Sequence, residues 1–280
     1  MKSWKEECGV FGIWNHPEAA RLAYLGLYSM QHRGQESAGI VSLNQDQHIH
    51  HKGIGLVGDV FLEADLARLA GKTAIGHVRY STTGQNLLTN AQPLTADLYH
   101  GPVALAHNGN IVNHDILRKK LKSQGSIFQG TNDTEIVLHL LSKHPSGDLI
   151  EALRDSLVEL EGAFSFVILS HNKLVAVRDS WGFRPLVLGR KKNENGSWSR
   201  VIASETCAFD LIGAQYDREV LPGEIFWIDE TGEHHQSSDD SCGLESGSRN
   251  AWLKSEMPLH VMANKGVTGI AKTDDQAEYE

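Results

Sequence analysis

The sequence predicts a domain of mixed α and β structure from Cys8 to about residue 233. Apolar runs of strand length recur through this region, and segments with helical spacing of apolar residues alternate with them. Turn signals built from glycine, asparagine and proline divide the two kinds of segment. The composition, 40% hydrophobic and 22% charged over 280 residues, is ordinary for a soluble globular protein.

The first predicted elements are a strand, a helix and a second strand. Residues 8–14 are mostly apolar and include two glycines, which suits a short strand. Pro17 fits the first turn of a helix that runs to Met30 with leucines among its apolar positions. A glycine-punctuated stretch follows, and residues 74–80 predict the second strand.

The middle of the domain is predicted to hold one strand and two helices. Residues 103–106 form a strand that ends in the turn signal His-Asn-Gly-Asn. Asn113 caps the next helix and Gly125 ends it. Asn132 and Glu135 make a capping pair for the second helix, which closes at the next proline.

The last part of the domain is predicted to contain a third helix, over residues 149–160, and five short strands. The strands are predicted at residues 164–170, 174–178, 186–188, 201–204 and 224–228. After residue 233 the composition shifts toward Ser, Gly, Asp and Glu, and no helix or strand pattern persists. Residues 234–280 are therefore predicted to be a poorly ordered tail.

Charge and cysteine content exclude several classes of function. The formal net charge of −9 argues against nucleic acid as a partner, because phosphate contacts need clustered Lys and Arg. The basic run at 118–120 is better explained as the wet face of a helix. No apolar run approaches the roughly 20 residues that span a bilayer, and the charged first seven residues are not a secretory signal. Three cysteines cannot form a disulfide framework, so a cytoplasmic setting fits best.

Fifteen histidines invite a metal hypothesis, but the sequence does not support it. The pairs at 50–51 and 234–235 have no Cys or carboxylate at ligand spacing, so we expect solvent-exposed loops there and no metal site. His77 and His107 are interpreted as structural histidines satisfied by hydrogen bonds, and Cys207 as a buried thiol.

The chemistry rests on Cys8 and four further clusters. A cysteine among small residues is more often a buried, inert thiol, so Cys8 alone means little. With the clusters at 31–39, 76–82, 107–110 and 132–135, the chain resembles the class II glutamine amidotransferases, a branch of the N-terminal-nucleophile hydrolases. The stretches 31–39, 181–186 and 203–210 resemble the amidophosphoribosyltransferase branch in particular. The resemblance covers roughly residues 6 to 233.

The resemblance implies a four-layer αββα sandwich, in which two antiparallel sheets pack face to face with helices outside. It also implies hydrolysis of glutamine to glutamate and ammonia through a thioester on Cys8. Residues 1–7 would be a propeptide whose removal gives Cys8 a free α-amine. Such an amine, with a pKa of about 7.7–8.0, is suited to act as a base toward the thiol. If Met1 stays, the chain lacks this base and is inactive.

The resemblance also assigns residue roles. Asn108 and Gly109 match the oxyanion hole, although an Asn-Gly hairpin turn would be the favourite without the other motifs. Arg79 matches the arginine that pairs with the α-carboxylate of glutamine, and Asp133 matches the acid that holds the α-ammonium. The alternatives are a surface ion pair or, for Asp133, a charge in a helix's first turn. The resemblance also places Arg33 among the substrate-binding residues. Its role would be either to orient the surroundings of the nucleophile or to hold the loop backbone in place.

The chain departs from the amidophosphoribosyltransferase pattern after residue 233. A phosphoribosyl pyrophosphate site is not found: residues 226–232 fit a hairpin better, and Asp274-Asp275 follows no strand. A cysteine near Cys242 is one iron–sulfur ligand in many relatives, but a cluster takes four, so we expect no cluster and no cofactor. Use of the ammonia would then need a full-length homologous subunit or a separate phosphoribosyltransferase chain as partner.

Two other functions stay open at this point. One is a non-catalytic truncated product that binds glutamine or regulates a full-length partner subunit. Absent propeptide cleavage, or cleavage without turnover, would favour it. The other is the glutaminase half of a glucosamine-phosphate, asparagine or glutamate synthase, against which the stretches 31–35 and 204–207 argue.

Overall fold

The computed structural model describes residues 8–80, 87–99 and 101–237, and these residues form a four-layer sandwich. Two antiparallel sheets stack face to face, with helices on both outer faces. The predicted αββα fold is confirmed. The predicted propeptide lies outside the described residues, as do Cys242 and all but the first four residues of the predicted tail. No helix in the described ranges has the length and apolar character to cross a membrane.

Thirteen strands form the two sheets in the described ranges. They are β1 Gly9–Trp14, β2 Ser37–Asn44, β3 Gln47–Ile54, β4 Thr73–Arg79, β5 Leu94–Leu98, β6 Gly101–Ile111, β7 Gly162–Ser170, β8 Leu174–Arg178, β9 Val187–Lys192, β10 Trp198–Ala203, β11 Gln215–Glu219, β12 Glu224–Asp229 and β13 Gly232–Ser237.

Seven α-helices cover the sheets in the same ranges. They are α1 Ala19–Ser29, α2 Val57–Val60, α3 Glu63–Arg68, α4 His114–Ser123, α5 Glu135–Lys143, α6 Leu149–Leu157 and α7 Cys207–Ile212. Helices α1, α2, α3 and α7 pack on the first sheet, and α4, α5 and α6 pack on the second.

The strand order places two strands, β1 and β4, side by side in the middle of the first sheet. That sheet has the order β11-β9-β10-β1-β4-β2-β3, and the second has the order β13-β12-β8-β7-β6-β5. β1 and β4 run antiparallel with Gly9 opposite Val78. β6 lies between β5 and β7, with Asn108 opposite Ser165. Three predicted site positions lie on these strands or next to them: Cys8 immediately before β1, Arg79 at the end of β4, and Asn108 with Gly109 near the end of β6.

Strand alternation produces three apolar layers. Val10 and Val167, from different sheets, belong to the layer between the sheets. Their neighbours Phe11 and Phe166 point the other way, Phe11 into the layer under α1 and Phe166 into the layer under α5 and α6. All four side chains are fully buried. Because successive side chains of a strand point to opposite faces, both sheets are apolar on both sides and need a cover on each.

The hairpin of β2 and β3 is the largest element missed by the sequence prediction. Its two-residue turn, Gln45-Asp46, has positive φ at both residues, 47° and 65°. This is the backbone of a tight hairpin turn, which usually contains Asn-Gly or Asp-Gly. Gln-Asp is an uncommon sequence for it, so the stretch gave no turn signal.

Two further predictions are wrong. The histidine pairs at 50–51 and 234–235 lie on strands β3 and β13, not in loops, and the His51 ring bonds the Val60 carbonyl oxygen at 2.9 Å. The predicted domain end at residue 233 falls inside β13, which continues to Ser237 because it pairs along β12. The predicted hairpin at 226–232 is confirmed by that same pairing.

Candidate active site

Cys8 lies immediately before β1 and is 7% exposed. Its thiol contacts the backbone of Tyr80: Sγ donates to the carbonyl oxygen at 3.4 Å, and the Tyr80 N–H donates to Sγ at 3.4 Å. The β1–β4 register sets this contact, since Gly9 is paired with Val78 and the chain continues from there to Arg79 and Tyr80. The predicted nucleophile and the predicted carboxylate-binding arginine are therefore neighbours across two strands.

Arg33 reaches the nucleophile's backbone rather than its sulfur. It lies in a short 3-10 turn after α1 and is 8% exposed. Its Nε donates to the Cys8 carbonyl oxygen at 3.0 Å, and its Nη1 donates to the Glu205 carboxylate. Of the roles that the sequence left open for Arg33, these contacts agree with orienting the surroundings of the nucleophile. Binding of substrate by Arg33 stays a prediction.

Arg79 is the last residue of β4 and is 3% exposed. Its backbone is fixed by the neighbouring loop, where the Glu36 N–H donates to the Arg79 carbonyl oxygen at 3.1 Å. A surface ion pair, the alternative reading for Arg79, does not fit this burial. A buried guanidinium on a fixed strand end suits the predicted grip on a carboxylate.

Asn108 and Gly109 lie within β6 and not in a turn, so the turn predicted at 107–110 is wrong. The strand continues to Ile111, paired with β7 throughout. Gly109 has a φ of 148°, and a Cβ there would lie 2.1 Å from the Ala163 carbonyl oxygen. The glycine is required by this close approach of β7.

The Asn108 side chain is fully buried, and neither its amide nitrogen nor its amide oxygen has a hydrogen-bond partner among the described residues. Buried polar groups are normally paired, and leaving one unpaired costs about 1–3 kcal/mol. A buried amide held this way can instead serve a ligand. This is the arrangement that an oxyanion donor requires.

Asp133 lies in the loop before α5 and is 6% exposed. Its Oδ2 accepts the Ile111 N–H at 2.7 Å, two residues beyond Gly109 on β6. The carboxylate is therefore fastened to the strand that carries the predicted oxyanion donors. The alternative of a charge serving the first turn of a helix is less well supported, because the bond is to β6.

Gln92, which the sequence analysis did not single out, ties this strand to the Asp133 loop. Its Oε1 accepts the His107 N–H at 2.7 Å, and its Nε2 donates to the Thr134 Oγ1 at 3.0 Å. Gln92 is 5% exposed. A glutamine in a loop carries no local signal, and its partners are 15 and 42 residues away, so one sequence offers no way to find it.

His77 joins the two sheets beside the site. Its Nε2 bonds the His107 carbonyl oxygen at 3.0 Å, and a carbonyl can only accept, so Nε2 carries the proton. Complete burial lowers the pKa of His77 to about 3, although the bond to His107 opposes this. This bond agrees with the structural role predicted for His77 and joins β4, which ends in Arg79, to β6, which carries Asn108 and Gly109.

The buried His77 predicts loss of stability in acid. The folded-state pKa is below the ordinary 6.5, so the unfolded chain takes up a proton first as pH falls. Stability is full above about pH 6.5 and declines toward pH 3, by about 1.4 kcal/mol per pH unit. Urea unfolding gives the loss of unfolding free energy between pH 6.5 and pH 5. This loss should be about 2 kcal/mol smaller in His77→Gln than in wild type, because glutamine keeps an N–H donor but does not titrate.

The control for this prediction is Ile75→Val, in the same strand and also fully buried. It removes one methyl group and should lower stability by about 1 kcal/mol equally at both pH values. Parallel pH dependence in wild type and His77→Gln would contradict the assignment of a neutral, buried His77.

One group of metal-ligand side chains is found among the described residues: His32, Glu205 and Cys207, whose donor atoms lie within 4.8 Å of one another. This group was not predicted from the sequence, because His32 lies 173 residues from Glu205. Two features oppose a cation there. Glu205 already pairs with Arg33, and burial together with the Glu205 charge raises the pKa of the Cys207 thiol. We interpret the group as a hydrogen-bonded cluster behind Arg33.

The chain is similar to known glutamine amidotransferases. A family model described as a glutamine amidotransferase domain matches residues 77–210. The amidophosphoribosyltransferase of the chloroplast of Vigna aconitifolia is 54% identical over 228 residues, which are 81% of this chain and 46% of that protein. The Bacillus subtilis amidophosphoribosyltransferase is 46% identical over 233 residues, 83% of this chain and 48% of that protein. The chain thus spans about half the length of the curated relatives it matches.

Solved structures give the same relationship. The glutamine phosphoribosylpyrophosphate amidotransferase from B. subtilis, complexed with ADP and GMP, superposes with a TM-score of 0.76 at 44% identity, covering 82% of this chain and 49% of that one. A class II domain protein from Silicibacter pomeroyi, at 12% identity and a TM-score of 0.51, shares the fold alone, over 81% of this chain and 98% of that one. The chain therefore belongs to the class II glutamine amidotransferases and contains a glutamine amidotransferase domain of the amidophosphoribosyltransferase type.

Proposed function

We propose that this chain hydrolyses the side-chain amide of glutamine to glutamate and ammonia, with Cys8 as the nucleophile. The observation that carries the proposal is the buried amide of Asn108, next to Gly109, for which the described part of the chain provides no hydrogen-bond partner. It lies on a strand joined by His77 to the strand beside Cys8. Burying this amide without a partner costs free energy, which a contact with the substrate would offset.

The proposed reaction has two steps. With residues 1–7 removed, the α-amine of Cys8 takes the thiol proton, and Sγ attacks the amide carbon of glutamine. The Asn108 side chain and the Gly109 N–H stabilise the oxyanion. The C–N bond then breaks, the proton goes to the departing nitrogen, and ammonia leaves a thioester. Water attacks the thioester in the second step, giving glutamate and the free thiol.

Two buried charges supply the grip on the amino-acid end of the substrate. Arg79, at the end of β4, pairs with the α-carboxylate, and Asp133, fastened to Ile111, holds the α-ammonium. Both are at least nine-tenths buried, so each would meet its substrate group away from bulk water. A substrate that lacks one of these groups forgoes that ionic contact.

The destination of the ammonia lies beyond this chain in the proposal. The relatives' name indicates transfer to a phosphoribosyl acceptor, and one solved relative is described as an enzyme of purine biosynthesis. We propose that the same route applies here, with the acceptor site on a full-length homologous subunit or a separate phosphoribosyltransferase chain. The cytoplasmic setting stays a prediction, since several plant relatives are described as chloroplastic.

The test is ammonia release from the substrate amide by the purified chain with Cys8 as its first residue. Glutaramate, which lacks the α-amine, and 4-aminobutanamide, which lacks the α-carboxylate, serve as matched substrates. We expect each to react at least about 100-fold more slowly than glutamine. Equal hydrolysis of all three would contradict the grip by Arg79 and Asp133, and glutamine binding without turnover would favour the non-catalytic alternative.

A further inference from the structure

We propose that Glu205 is a positioning residue for glutamine hydrolysis, acting through Arg33 to fix the backbone of Cys8. The inference rests on the proposed function. Glu205 lies between the end of β10 and the start of α7, 172 residues from Arg33 in the sequence. It reaches the nucleophile through the arginine.

The contacts form a short chain from the carboxylate to the nucleophile. Oε1 of Glu205 accepts from Nη1 of Arg33, and Nε of the same guanidinium donates to the Cys8 carbonyl oxygen at 3.0 Å. Oε2 of Glu205 lies 2.9 Å from Nε2 of His32. Neighbouring residues of one turn, His32 and Arg33, therefore bind different oxygens of the carboxylate, and the Cys207 thiol also donates to Oε2 at 3.5 Å.

The charge state fits this role. Burial by itself raises the pKa of Glu205, but the hydrogen bonds and charges of Arg33 and His32 outweigh it, so the net pKa is lowered. The carboxylate is ionised at neutral pH and supplies the counter-charge for a guanidinium that is 9% exposed. A buried charge that loses its partner is strongly destabilised. Without Glu205, the Arg33 guanidinium is expected to turn toward solvent and to lose its hydrogen bond to the Cys8 carbonyl oxygen.

Ser204, the residue before Glu205, also helps to hold the start of β1 in place. The Ser204 Oγ accepts the Val10 N–H at 3.0 Å, and the Ser204 N–H donates to the Val10 carbonyl oxygen at 3.0 Å. The 204–205 segment thus holds the start of β1 at Val10 directly and at Cys8 through Arg33. Nucleophile position is critical, because a displacement of about 1 Å can cost 10²-fold in rate.

The test measures kcat and KM for glutamine in Glu205→Gln, which keeps the shape and removes the charge. We expect kcat to fall about 10- to 100-fold and KM to stay within about twofold, because Glu205 does not contact the substrate. Glu205→Asp, which restores the charge on a shorter side chain, should recover part of the loss. The matched control is Glu63→Gln, which breaks the exposed Arg21–Glu63 pair and should leave both constants unchanged.

A double-mutant cycle separates positioning from a general structural role. In an Arg33→Met background, Glu205→Gln should change kcat by no more than about twofold, because the residue through which it acts is already gone. The inference would be overturned if the two substitutions lowered kcat independently, so that their fold-effects multiplied in the double variant. A folded Glu205→Gln variant with the wild-type kcat would overturn it as well. If wild type itself releases no glutamate, and an electrophilic glutamine analogue does not label Cys8, the proposed function fails instead.

Discussion

Replacing Cys8 with alanine is expected to reduce glutamate release to a trace of the wild-type rate. The thioester cannot form without this sulfur, and a nucleophile's removal leaves only the residual effect of binding and oxyanion stabilisation. The fold should survive, because Sγ contacts the Tyr80 backbone and the substitution removes a single small group. Glutamate formation and the melting temperature, measured on one preparation, check both statements.

The control for this substitution is Cys242→Ala, which removes a thiol from the predicted tail. It should leave kcat and KM within about twofold of wild type. Substantial glutamate release by Cys8→Ala would show that another group is the nucleophile and would contradict the mechanism at its first step.

Replacing Asn108 with alanine is expected to lower kcat about 10²–10³-fold, the usual effect of losing one oxyanion donor, with little change in KM. The substitution should hardly change the free energy of unfolding. The Asn108 amide has no hydrogen-bond partner among the described residues, so its removal breaks none there. This combination of a large kinetic effect and a small stability effect distinguishes a ligand-directed amide from a structural one.

Asn195→Ala is the matched control for this experiment, since Asn195 is exposed in the turn between β9 and β10. It should keep wild-type kcat. A normal kcat in Asn108→Ala, together with a clear fall in melting temperature, would mean that the amide serves the fold and not the reaction.

Much of the fold could be predicted because its strands are apolar runs of ordinary length. β7 and β8 were predicted almost to the residue, since both are buried on two faces and bounded by clear turns. The β2–β3 hairpin was missed because its Gln45-Asp46 turn lacks the glycine that usually marks positive φ. At Gly109 the error was the reverse. The Asn-Gly pair indicated a turn, but Gly109 lies within strand β6, where the backbone of β7 comes too close for a side chain.

The site could be predicted only as far as motifs reach. Cys8, Asn108 and Asp133 belong to recognisable sequence clusters, and the structure gathers the segments that carry them around the bond from His77 to His107. Gln92 and Glu205 were not assigned roles, because each acts through partners distant in the sequence and belongs to no chemical motif. Residues that hold catalytic groups are selected by tertiary contacts, which a single sequence does not display.

The most direct test of the central claim compares two forms of the chain, verified by intact mass. One begins at Cys8, and the other retains residues 1–7. The mechanism predicts glutamate release by the first form and background rates in the second, because only in the first does Cys8 itself carry the free α-amine, with an ordinary pKa of about 7.7–8.0, that takes the thiol proton. Glutamine hydrolysis at the same rate by the form that retains Met1 would contradict it.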